Sequence, residues 1–125
     1  MIVGIGTDMI EIARVKKACS KEAFLKRYFT EAERQLFLQS MTRAADNFAV
    51  KEAIVKMFGT GFREVVPIEI EVLRNDLGAP FVNLYGAALA YKKRLKIDTI
   101  HVSITNTKEY ASAFVVGESK DLFVE

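Results

Sequence analysis

The chain has 125 residues, half of them apolar, with 18 Lys plus Arg against 16 Asp plus Glu, a size and balance that suit one domain over residues 1–125 with a real core. No apolar run approaches the ~20 residues of a membrane span, and an acid at Asp8 with no basic start argues against a signal peptide. One cysteine and one histidine leave no internal disulfide and no Cys/His zinc site, which fits the reducing cytoplasm.

Ile2, Val3 and Ile5, with Gly4 and Gly6 between them, predict a short buried strand ending on Thr7-Asp8. From Ile10 to Phe29 the apolar spacing turns helical, with Ile12, Val15, Ala18, Phe24, Leu25 and Tyr28 on it. Between Arg14 and Arg27 lie six basic residues and the single acid Glu22, a local +5 that leaves the remainder at −3. The chain is basic in one place only. Thr30 with Glu33 is a capping-box signature, so a helix starts at Glu31 and turns Leu36 and Phe37 inward. A longer helix over 43–58 stops at Gly59. Ile68, Ile70 and Val72 alternate with Glu69 and Glu71 as a half-buried strand does, and the turn chemistry of 75–80 leads back into Phe81 to Tyr85. Gly86 to Leu95 reads as a helix, and Ile100 to Ile104 pairs with Tyr110 to Val116 around Asn106-Thr107-Lys108. This order predicts an α+β domain in which an antiparallel sheet packs with one long central helix.

The chemistry concentrates on that helix. Val50, Ala53, Ile54, Met57 and Phe58 share an apolar arc, whereas Glu52 and Lys56 sit ~40° apart on another face beside Ala45, Phe48 and Ala49. An i,i+4 Glu–Lys pair is a common helix decoration; the apolar flank marks this one as partly desolvated. Asp8 alone reads as an acid opening a turn. Paired with Glu52 it makes a seat for a hard cation such as Mg²⁺, which takes one or two carboxylates and leaves positions for water and phosphate oxygens. Lys56 then adds positive charge toward the same phosphates. Gly59-Thr60-Gly61 is first a helix cap and second a possible anion cradle. His101, on the strand face of Ser103, reads as a half-buried structural residue, and Cys19 as packing.

VGIGTD at 3–8 and FAVKEAIVKMFGTG at 48–61, with NDLGAPFV at 75–82 and HVSITNTKEYASAFVV at 101–116, together resemble the holo-acyl-carrier-protein synthase family of the phosphopantetheinyl transferase superfamily. The resemblance implies that Asp8 and Glu52 hold Mg²⁺ against the pyrophosphate of coenzyme A, while Lys56 neutralises phosphate charge and assists proton transfer to the leaving group. It implies that Gly59, Thr60, Gly61, Pro80 and the segment from Ser103 through Asn106 and Thr107 line the coenzyme A cleft. The implied reaction moves the 4′-phosphopantetheine arm to a serine of apo acyl carrier protein, releases adenosine 3′,5′-bisphosphate and supports fatty acid biosynthesis. Glu52, directly or through a metal-bound water, is the candidate base for the serine. A homotrimer with active sites between subunits is implied as well.

Three positions depart from the family pattern. Asn106 stands where His is common, Asn47 where Arg is frequent, and Ala79 where a basic residue often precedes the hairpin proline. Asn exchanges no proton near neutral pH, so a second expectation is a weakened member that binds coenzyme A or carrier protein without efficient transfer. A third, a basic nucleic-acid module, is disfavoured by the net charge of +2 and by the core-like spacing of Phe24, Tyr28 and Phe29. Carrier proteins are acidic, so Arg14, Lys17 and Lys21 are either a solvated helix face or a docking surface that steers the partner.

Overall fold

Two glycines in the first strand decide how the molecule stacks. The elements run β1 (Ile2–Glu11), α1 (Ile12–Cys19), α2 (Glu22–Tyr28), α3 (Glu31–Phe37), α4 (Thr42–Phe58), β2 (Ile70–Arg74), β3 (Pro80–Leu84), α5 (Gly86–Arg94), β4 (Thr99–Asn106) and β5 (Tyr110–Glu118). Short 3-10 turns at Gly61–Arg63 and Pro67–Glu69 join α4 to β2. In this computed structural model, which describes residues 1–121, α4 lies directly on β1. A side-chain carbon added at Gly6 would fall 1.8 Å from the Ala53 carbonyl oxygen, and one at Gly4 2.8 Å from that of Met57. Only glycine allows this approach.

The sheets are antiparallel throughout, as the α+β reading expects, but there are two of them. One has the order β1-β5-β4, and the hairpin β2-β3 forms the other. Register sets Gly6, Val115 and Val102 in one row of the larger sheet and Asp8, Ala113 and Ile104 in the next. Those rows share the sheet face that meets α4, where Ala49, Val50, Ala53 and Ile54 complete the main core with Ile70 and Val72 of the hairpin. A second cluster joins Ile12, Val15, Cys19, Phe29 and Phe37 to Ala44 and Ala45 at the start of α4. Cys19 is packing, as expected, and burial pushes its thiol up to about 11.

Local signals behave as their chemistry requires. The Thr30 hydroxyl accepts the Glu33 N–H at 3.3 Å and the Glu33 carboxylate accepts the Thr30 N–H at 3.1 Å, a complete capping box. Gly59 ends α4 in the left-handed region at φ 79°.

Four expectations need correction. The helix expected over 10–29 is two, because α1 stops at Ser20, whose N–H and hydroxyl both turn back to the Lys17 carbonyl. β1 is neither short nor buried through its isoleucines: it runs to Glu11 with Ile2 and Ile5 exposed, so Asp8 sits within a strand and not at its end. Ile68 lies in a 3-10 turn, the strand beginning at Ile70. His101 is exposed, not half-buried, and pairs with Glu118 at 2.9 Å. Among the described residues no helix is long and apolar enough to cross a membrane.

Candidate active site

Period-2 alternation puts Asp8 on the face of β1 that also carries Gly4 and Gly6. The absent side chains at those glycines bring α4 close, and α4 in turn carries Glu52 and Lys56 past Asp8. The Lys56 ammonium donates to Asp8 Oδ1 at 3.1 Å and to the Thr7 carbonyl at 3.0 Å. The expected i,i+4 contact with Glu52 therefore gives way to a bridge between helix and strand. Lys56 stays largely exposed, while Asp8 is mostly covered.

Glu52 is half-buried beside them. Burial raises its pKa above the usual carboxylate range, the Asp8 charge raises it further, and Lys56 pulls it partly back. Two carboxylates that face one ammonium between helix and strand form a site short of positive charge. Among the described residues no group of three or more His, Cys, Asp or Glu gathers anywhere, so a metal here would meet two carboxylates. That donor set suits Mg²⁺, which keeps water and substrate oxygens on its other positions, better than a cation needing an all-protein cage.

The remaining expected residues are spread around this centre. Gly59 and Thr60 send their N–H groups back to the Val55 carbonyl, leaving Gly61 as the only one of the three not spent on the cap. The Thr60 hydroxyl donates to the Gly61 carbonyl at 2.8 Å. Pro80 opens β3, in the smaller sheet. Ser103 points to the outer face of the larger sheet, in the row of Thr7 and Phe114. Thr107 caps the β4–β5 turn, its hydroxyl accepting the N–H groups of Glu109 and Tyr110. Asn106 lies on the inner face of β4. β5 separates β4 from β1 and Asn106 is in register with Ile10, so Asn106 and Asp8 lie two strands across and two residues along from each other, roughly 12 Å by ordinary strand spacing. The structure brings Asp8, Glu52 and Lys56 together, leaves Asn106 at the far edge of the same sheet face, and puts Pro80, Ser103 and Thr107 elsewhere on the chain.

Behind α4 lies a buried network that no motif announces. The Lys51 ammonium donates to Glu33 at 2.8 Å, to the Pro67 carbonyl at 2.9 Å and to the Ile70 carbonyl. Asn47, fully buried, donates to Glu33 at 3.0 Å and to the Val72 carbonyl at 2.9 Å, and accepts from Arg74 at 2.9 Å. Asn47 thus faces the interior. Burial lowers the Lys51 pKa and raises that of Glu33, each opposed by the other's charge. The available signal is a polar pair at i and i+4, Asn47 and Lys51, on an otherwise buried stretch of α4.

The profile of the 4′-phosphopantetheinyl transferase superfamily matches residues 4–115. The holo-[acyl-carrier-protein] synthase of Lachnoclostridium phytofermentans is 62% identical over 118 residues, 94% of this chain and 97% of that protein. The crystal structure of the Neisseria meningitidis holo-[acyl-carrier-protein] synthase superposes with a TM-score of 0.84 at 33% identity, covering 95% of this chain and 100% of its own. The Bacillus anthracis synthase, solved in complex with CoA (3′,5′-ADP), gives 0.79 at 37% identity over 96% of this chain and 99% of its own. With motifs, fold and near-complete coverage in agreement, the chain belongs to the 4′-phosphopantetheinyl transferase superfamily.

Proposed function

We propose that this chain is a holo-acyl-carrier-protein synthase, a transferase that moves the 4′-phosphopantetheine arm of coenzyme A to a serine of apo acyl carrier protein in the cytoplasm. The observation that carries this reading is the convergence of Asp8, Glu52 and Lys56 where β1 meets α4. Relatives named for the activity align over nearly their whole length, which supports it. Asp8 and Glu52 would hold Mg²⁺, which when bound neutralises pyrophosphate charge. Lys56, tied to Asp8 and the Thr7 carbonyl, presents its ammonium to the same phosphates and stabilises charge on the departing adenosine 3′,5′-bisphosphate. Glu52 takes the serine proton as the serine oxygen bonds to phosphorus and the pyrophosphate bridge breaks. Gly59, Thr60, Gly61, Pro80, Ser103, Asn106 and Thr107 form the coenzyme A cleft in this reading.

One chain does not close such a cleft, since its parts lie on opposite sheet edges and in two sheets. The outer face of the larger sheet is also apolar and exposed, with Ile5 59%, Met9 66% and Phe114 47% accessible. Both features support a homotrimer whose cleft is shared between copies. Light scattering should give the mass of three chains; a monomer at working concentration contradicts it.

For the carrier, α1 and α2 frame a groove of about 560 Å³ between Arg14, Lys17, Lys21, Phe24 and Arg27. Its apolar floor and basic rim fit an acidic helix with apolar side chains. Reversing Arg14 and Lys17 to Glu should raise KM for the carrier roughly tenfold or more, less so at high salt, and spare KM for coenzyme A. Equal effects on both substrates would return these residues to ordinary surface. The function itself is tested by intact-mass analysis of apo acyl carrier protein incubated with the chain, coenzyme A and Mg²⁺. A phosphopantetheine adduct is expected, and none at high enzyme concentration overturns the reading.

A further inference from the structure

The inner face of β4 ends on Asn106, whose side chain is gripped from one side only. Its Nδ2 donates to both carboxylate oxygens of Asp46, at 3.0 and 3.1 Å. Asp46 belongs to α4 and is 7% exposed, whereas Asn106 is open to solvent. An ionised carboxylate offers acceptors only, so the Asn106 amide has one orientation: NH₂ inward, Oδ1 outward. The flipped amide would set its oxygen against two others. Among the described residues no donor reaches Asn106 Oδ1. Asp46 is braced in turn, because the charge of Arg74 acts on it while that guanidinium is anchored to Asn47.

The geometry points to Asp46 as a positioning residue that presents Asn106 Oδ1 as a hydrogen-bond acceptor, so that this corner of the cleft takes an N–H or O–H donor of coenzyme A and not a phosphate oxygen. The inference rests on the reading of Asn106 as a cleft residue. An outward oxygen backed by a carboxylate repels phosphate and attracts a donor. Asp46 touches no substrate; it acts through Asn106.

Titration calorimetry of the whole protein with coenzyme A and Mg²⁺ reads this without turnover. Asp46→Ala and Asn106→Ala should each weaken Kd about fivefold to tenfold, the range of one hydrogen bond. The double variant should bind no worse than Asn106→Ala, since both remove one contact. Asp46→Asn, which keeps an acceptor for the Asn106 amide, should recover most of the loss. The same losses should appear with 3′-dephospho-coenzyme A. Additive losses in the double variant, or an effect that vanishes with the dephospho ligand, overturn the inference. Asn106 is exposed, so its variant carries the test even where Asp46→Ala fails to fold. A wild-type protein that binds no coenzyme A instead defeats the transferase reading, whereas wild-type binding matched by Asn106→Ala defeats only this one.

Discussion

Glu52→Gln is expected to lower the rate of carrier-protein modification by ~10²–10⁴-fold while leaving the protein folded. Gln preserves the size and shape of the side chain but accepts no proton and supplies no charge to a cation. The structure also fixes the direction of the stability change. Burial first, and then Asp8, raise the Glu52 pKa, with Lys56 opposing. Between the ordinary value and the raised one, the folded state keeps a proton that the unfolded state has lost. Stability from this group therefore falls as pH rises through that window, and above it the ionised carboxylate is a net cost. At neutral pH Glu52→Gln should melt at or above the wild-type temperature. Asp8→Asn should also lose most activity, because Lys56 leans on that carboxylate, as the proposed cation would. Activity lost without stability is the signature of a site held against its own folding preference. Wild-type turnover in either variant, or a large drop in Tm, would make these carboxylates structural.

The largest stability effect is expected at Lys51. Its ammonium is 1% exposed and its partner Glu33 fully buried, and the Lys51 charge also lies 5.2 Å from the Phe29 ring centroid. Lys51→Met leaves the Glu33 carboxylate without its cation and removes the side-chain donor from the Pro67 and Ile70 carbonyls. Breaking one side of a buried pair costs about 3–5 kcal/mol, so Tm should fall by roughly 10 °C or more. Adding Glu33→Gln should recover part of it, because the orphaned charge disappears while the amide oxygen still accepts from Asn47. A thermal melt of Lys51→Met within a few degrees of wild type would show that the pair does not fasten α4 to α3 and β2.

How far the sequence foretells these features depends on where each signal is written. α4, the hairpin and the capping box are local: a 3.6-residue period, a period-2 run around a turn, and two side chains three apart. The long β1 is not, because its apolar side chains Ile5 and Met9 face out while Gly4, Gly6 and Asp8 face α4. A strand with its apolar side outward inverts the usual alternation, so a period-2 reading of the chain alone orients it the wrong way. The break between α1 and α2 lacks Gly or Pro, so helical spacing runs through it unmarked. Asp8, Glu52 and Lys56 were legible as residues, but the bridge from Lys56 to Asp8 was not, since it spans 48 positions. The network of Glu33, Asn47, Lys51 and Arg74 is long-range as well, and a buried lysine one residue before the half-buried Glu52 looks in sequence like part of a charged face.

Asp8 and Glu52 are proposed to seat one hard divalent cation jointly at the junction of β1 and α4. Electron paramagnetic resonance of Mn²⁺ titrated into the protein with coenzyme A counts bound metal directly. The expected result is one competing-Mg²⁺-sensitive site per chain in the wild type, weakened by tenfold or more in both Asp8→Asn and Glu52→Gln. Equal Mn²⁺ occupancy in the wild type and both variants would contradict it.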